Sequence, residues 1–116
     1  MPLSTHVLDV SRGTAAAGVA IDLHSVGGGA RQLIATATTN AAGRTDAPLV
    51  SGERMQAGIY EITFHAGDYF RRCGVPLTDP PFLDDVVVRI GIADAAGHYH
   101  VPLLLSPYGY STYRGT

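Results

Sequence analysis

The sequence predicts an all-β chain, an antiparallel β-sandwich of seven or eight short strands with one short helix. Three observations predict it. Apolar and polar residues alternate with the period of two of a half-buried strand, most plainly where Val19, Ile21 and Leu23 interleave with Ala20, Asp22 and His24. Glycine, proline and asparagine turns cut the chain at short intervals. Only Gly67–Cys73 reads as helical turns.

Taken in order, Ser4–Val10 is a strand that ends at Arg12-Gly13. Val19–Val26 and Gln32–Thr39 form a hairpin around the loop Gly27-Gly28-Gly29, which lacks the Lys-Ser/Thr of a phosphate loop. Asn40-Ala41-Ala42-Gly43 is a turn, and Arg44 opens the stretch after it. Gly58–His65 is a strand. In the helical turns that follow, Asp68 is the expected N-cap and Gly74 the stop. The Pro-rich loop Val75–Phe82 leads to the apolar strand Val86–Ile92. Asp94-Ala95-Ala96-Gly97 then turns the chain into His98–Leu105, and Ser106-Pro107-Tyr108-Gly109 into a last strand that runs through Tyr113-Arg114-Gly115-Thr116 with no polar tail. Chain ends fray unless something ties them down, so this tip reads as part of a working surface.

Length and composition fit one domain over residues 1–116, long enough to bury roughly two-thirds of its unfolded surface. With 46% hydrophobic and 16% charged residues, the chain is globular and not disordered. Eight basic against ten acidic residues leave a formal charge of −2, and no basic run stands out. Nucleic acid and membrane are therefore excluded as expected partners. The single cysteine, Cys73, has no intrachain partner, the N-terminus Met1-Pro2-Leu3-Ser4-Thr5-His6 lacks a signal-peptide pattern, and no apolar run approaches the ~20 residues of a membrane helix. A soluble cytoplasmic protein is expected.

Strand faces locate the chemistry. Tyr99, Val101, Leu103 and Leu105 share a core face, leaving His98, His100, Pro102 and Leu104 on the other. That second face is too apolar for ordinary surface yet carries imidazoles, as a subunit interface or ligand site does. Proline inside the strand points to an edge or irregular position. In the first strand Val7 is core, and Ser4, His6 and Leu8 share the opposite face; Ser111, Tyr113 and Gly115 form a row on the last. The His-x-His pair invites a metal reading, but two nitrogens, even with His6 as a third, leave zinc short of ligands, and none is expected. Ser111 lacks the Gly-x-Ser-x-Gly elbow of a serine nucleophile.

The blocks Ser4-Thr5-His6-Val7-Leu8-Asp9, Asn40 to Arg44, and Leu104 to Gly115 resemble the transthyretin-related 5-hydroxyisourate hydrolases over essentially the whole chain. The final Tyr-Arg-Gly-Ser of that family marks its enzyme branch; transthyretin, the thyroid-hormone carrier, shares the Leu-Leu-Ser-Pro-Tyr block but lacks this signature and the two histidines. The resemblance implies a transthyretin-like sandwich in a homotetramer, with active sites in a central channel at the dimer–dimer interface. It implies His6, Arg44 and His100 as catalytic residues and Tyr113, Arg114, Gly115 and Thr116 as substrate-binding, with His98 unmatched. The family's last Ser is Thr116 here, which keeps the hydroxyl and adds a methyl group.

The implied reaction is opening of a ring amide in 5-hydroxyisourate, a urate-derived small molecule, to 2-oxo-4-hydroxy-4-carboxy-5-ureidoimidazoline, without metal or cofactor. His6 and His100 would activate water and relay its proton, the sequence leaving open which is the base. Arg44 would hold the oxyanion, and Arg114 would do the same or anchor the chain terminus. The alternative is a transthyretin-like carrier that binds in the channel without chemistry.

Overall fold

In the computed structural model, which describes residues 2–116, the alternating pattern becomes eight strands in two layers; Met1, the first residue of the N-terminal segment, lies outside them. The strands are β1 (Leu3–Asp9), β2 (Thr14–Ala15), β3 (Ala20–Ser25), β4 (Gln32–Thr38), β5 (Gly58–His65), β6 (Asp85–Ile92), β7 (Tyr99–Ser106) and β8 (Gly109–Thr112). Helix α1 (Ala66–Arg72) follows β5 without a loop. One sheet runs β2-β1-β7-β8 and the other β4-β3-β5-β6. Between them Leu3, Val7, Leu103 and Leu105 of the first sheet meet Ile21, Leu23, Ile62 and Phe64 of the second, with Phe70 of α1, all fully buried. Removing such side chains from water is what drives the two layers together.

One pairing departs from a wholly antiparallel sandwich. β1 and β7 lie parallel, from Leu3 opposite Tyr99 to Asp9 opposite Leu105, whereas the other strand pairs are antiparallel. Parallel neighbours need a long crossover, and here nearly the whole second sheet supplies it. β2, two residues opposite Leu8 and Asp9, is too short to leave a pattern in the sequence.

Around α1 the sequence expectation is half right. The N-cap is His65, the last residue of β5, and no side chain caps the helix. Asp68 sits inside the first turn, where its carboxylate accepts from Arg71 at 2.8 Å. The stop is at Gly74, with φ 78° beyond the C-cap Cys73. Gly74 donates its N–H to Arg71 (3.0 Å) and Val75 to Phe70 (3.1 Å), the paired bonds of a Schellman ending.

Two polar clusters brace the fold, one between the first sheet and α1 and one within the second sheet. Asp9, fully buried at the end of β1, accepts from the Tyr69 hydroxyl of α1 at 2.8 Å and from the Ser11 backbone N–H at 3.1 Å. Burial and the Asp9 bond push the Tyr69 phenol well above its usual range. On the outer face of the second sheet, His65 donates from Nδ1 to Asp85 (2.8 Å) and from Nε2 to Asp22 (2.9 Å). One ring thus clamps β3, β5 and β6.

Tyr69→Phe removes the donor while leaving the Asp9 carboxylate buried, so unfolding by urea should show a loss of about 1–3 kcal/mol. The carboxylate of Asp22, against partial desolvation, and then that of Asp85, raise the His65 pKa above the usual 6.5. A raised imidazole stabilises the fold below its unfolded pKa and loses that contribution as pH climbs through the folded value. The stability gap between wild type and His65→Gln should therefore be widest at mildly acidic pH and close as pH rises past about 6.5, measured by urea titration across the range.

Candidate active site

The parallel register of β1 and β7 builds the site. It sets Ser4 opposite His100 and His6 opposite Pro102, so these side chains share the face turned away from the core. His6 is also bridged to Arg44 and His100 to Gly115, while β8 places Ser111 opposite Leu104. The outer face thus gathers His6, His100, the Arg44 and Gly115 backbone, Ser4, Leu8, Pro102 and Leu104.

His6 is half-buried, and its Nε2 lies 2.9 Å from the Ala42 carbonyl. A carbonyl only accepts, so Nε2 carries a hydrogen. The turn that supplies this carbonyl is shaped by Asn40, whose Oδ1 accepts from the N–H groups of Ala42 (2.9 Å) and Arg44 (3.3 Å) while Nδ2 donates to Asp46 (3.0 Å). Gly43 completes it at φ 74°; a Cβ there would stand 2.3 Å from the Val7 carbonyl and 3.3 Å from His6 Cδ2. Arg44 leaves the turn exposed, and among the described residues its guanidinium has no ion-pair partner.

His100 is held on two sides. Its Nδ1 is 2.8 Å from the Ser4 hydroxyl, and its carbonyl accepts from the Gly115 N–H at 2.7 Å. Gly115 packs close to the ring: an added Cβ would come within 2.8 Å of His100 Cδ2 and 3.3 Å of Pro102 Cγ. Partial burial first, then the positive charges of Arg44, His6 and His98, lower the His100 pKa below the usual 6.5. The ring is neutral at pH 7, as a general base must be.

The chain tip divides. Pairing of Leu104 with Ser111, Leu103 with Thr112 and His100 with Gly115 is one continuous register, so the tail prolongs β8. It is interrupted at Pro102, which sits in a central strand and not at an edge; the gap accommodates its missing N–H, and its carbonyl accepts from the Thr112 hydroxyl at 2.7 Å. Gly115 joins the histidine face and Tyr113 is largely exposed, but Arg114 turns elsewhere. Its Nη2 donates to the His98 carbonyl at 3.1 Å and its guanidinium stands 4.1 Å above the ring of Tyr99, a core-facing residue. These contacts tie the tail to His98 and Tyr99. Thr116 is exposed, and His98 precedes β7, its carbonyl serving as the acceptor for Arg114.

Within one chain this face is open. A cleft of about 390 Å³ runs between β4 and residues 45–49, and another of about 250 Å³ between Leu8 and Ala15; neither is lined by His6, Arg44 or His100. Among the described residues no three His, Cys, Asp or Glu side chains cluster as metal ligands would. The sequence showed Ser4 on this face but not its bond to His100, nor that the Ala42 carbonyl fixes a hydrogen on His6; both depend on which strand lies beside β1.

Fold and face define a two-sheet sandwich with a patch of imidazole, guanidinium and glycine on one outer face. The family model described as "HIUase/Transthyretin family" matches residues 3–115, and the chain belongs to that family. It is 60% identical over 114 residues to "5-hydroxyisourate hydrolase 2" of Rhizobium meliloti, covering 98% of this chain and 95% of that one. Among solved structures it is similar to a Klebsiella pneumoniae 5-hydroxyisourate hydrolase (36% identity, TM-score 0.82, all of both chains) and to sea bream transthyretin in complex with thyroxine (31%, 0.88, 100% and 96%). It also superposes on an (S)-allantoin synthase (40%, 0.93), covering 99% of this chain but only 43% of that longer one.

Gly115→Ala forces the tail off the His100 ring. With burial relieved, the His100 pKa should rise toward 6.5 while the sandwich stays folded, as histidine-ring NMR titration and thermal unfolding would show; an unmoved titration would mean that the glycine does not seat the ring.

Proposed function

We propose that the chain, as one domain over residues 1–116, hydrolyses 5-hydroxyisourate to 2-oxo-4-hydroxy-4-carboxy-5-ureidoimidazoline in urate breakdown. The observation that carries this is the meeting of His6, His100 and the Arg44 turn on one sheet face in a chain 60% identical to a protein named for that reaction.

Ring opening needs a deprotonated water, a place for negative charge on the carbonyl oxygen, and a proton for the departing nitrogen. In this mechanism His100, neutral at pH 7 and tied through Nδ1, takes the proton of a water through Nε2. The new C–O bond makes a tetrahedral oxyanion, which the unpaired guanidinium of Arg44 stabilises. The ring C–N bond then breaks, and the imidazolium of His100 returns the proton to nitrogen. His6, whose Nε2–H is committed to Ala42, offers Nδ1 as an acceptor that orients the substrate or the water. Gly115 packs against the His100 ring, the exposed Tyr113 and Thr116 on the same tail would bind the substrate, and Arg114 holds the tail that carries them. No step calls on a metal or cofactor.

The assembly in this reading is a homotetramer with the sites at the dimer–dimer interface. It is supported by the openness of the histidine face in one chain and by the apolar Leu8, Pro102 and Leu104 around the imidazoles. A cytoplasmic setting accords with the free, exposed thiol of Cys73. No helix among the described residues is long and apolar enough to cross a membrane.

Freshly generated 5-hydroxyisourate also opens unaided, to a racemate. With the protein, decay should be fast and the product a single enantiomer by circular dichroism. His100→Asn should keep the assembly, checked by sizing, and lose roughly 10²–10⁴-fold in rate. A racemic product at the uncatalysed rate would defeat the enzyme reading in favour of the carrier.

A further inference from the structure

The histidine face holds a polar side chain to which no catalytic role has yet been given. We infer that Ser4 is a positioning residue for the base: its Oγ accepts the Nδ1 hydrogen of His100, which holds the neutral ring in the tautomer whose Nε2 lone pair faces outward. The inference rests on the reading of His100 as base.

Four observations carry it. Ser4 and His100 are directly opposite on two adjacent inner strands, so the 2.8 Å contact is set by the ladder and not by a mobile loop. Among the described residues, neither Ser4 Oγ nor the His100 ring makes another hydrogen bond, so each is the other's sole protein partner. Gly115 packs against the Cδ2–Cγ side of the ring, and among the described residues Nε2 has no hydrogen-bond partner and is not a buried, unpaired atom, so it stays open to a water or substrate. The other imidazole is already committed the opposite way, because the Ala42 carbonyl keeps the hydrogen of His6 on Nε2. The face would then present two bare lone pairs, Nδ1 of His6 and Nε2 of His100, beside the positive charge of Arg44.

A serine does this at little cost to reactivity. A carboxylate in its place would hold Nδ1–H more firmly but would also raise the pKa of the ring and charge it at neutral pH, as the two aspartates do at His65. The hydroxyl orients without adding charge.

Ser4→Ala and Ser4→Thr test this, read in the free protein and in turnover. In wild type above the His100 pKa, ring ¹⁵N shifts should show Nδ1 protonated and Nε2 bare; Ser4→Ala should move the ring toward the Nε2–H form, and Ser4→Thr, which keeps the hydroxyl, should restore it. In turnover of 5-hydroxyisourate, Ser4→Ala should lower kcat roughly tenfold with KM little changed, the value of one hydrogen bond. The acid limb of its pH profile should shift, its melting temperature should hold, and Ser4→Thr should recover the rate. An Nε2–H ring in wild type, or a Ser4→Ala protein matching wild type in kcat and pH profile, overturns the role of Ser4 even if the wild type is an active hydrolase. A wild type that fails to turn over the substrate defeats the proposed function, while the ¹⁵N shifts still decide the tautomer.

Discussion

The parallel pairing of β1 with β7 is the constraint on which the rest depends. Strands 90 or more residues apart in sequence become neighbours, and their side chains fall into register one for one. Every catalytic candidate is then positioned from this ladder: His100 on one strand, Ser4 and His6 on the other, the Asn40–Gly43 turn along the side of β1 away from β7, and the chain tip along the side of β7 away from β1. Since the side-chain period is two, a slip of one residue would send His6 and His100 toward the core and bring Val7 and Val101 out. The buried leucines and valines that forbid this slip therefore also protect the site.

The two sheets use histidine in opposite senses. His65 lies between two carboxylates, is raised, and acts as a cation that joins three strands. Among the described residues His100 has no carboxylate on its ring, and burial, helped by the nearby guanidinium of Arg44, lowers it. Both are half-buried, so burial is not what separates them; the neighbours are. The face with the candidate site has no carboxylate hydrogen-bonded to its histidines, and the outer face of the second sheet has two on His65.

Much of this is legible in the amino-acid sequence. The period-two pattern finds β1, β3, β5, β6 and β7 with ends within about two residues, and assigns Val7 and Leu103 inward and His6 and His100 outward, because alternation is a local property of the chain. The shared motifs name His6, Arg44 and His100 together, and the fold does gather them. What escapes the sequence is non-local. Nothing in either segment says that β1 and β7 run parallel, that Pro102 sits inside a sheet, or that Arg114 turns back over Tyr99. Asp68 as a cap fails for a related reason: the helix springs directly from β5, leaving no loop residue to cap it.

Pro102 has one more consequence. A strand with an unbroken ladder peels from its end one bond at a time, each step resisted by the next. Here the proline removes a rung between Thr112 and Gly115, so beyond that gap the last residues are held by the Gly115 N–H on His100 and by Arg114 on the His98 carbonyl and the Tyr99 ring. Because Gly115 packs against the His100 ring, the cover of the imidazole hangs on these few contacts and not on the continuous ladder that holds β8.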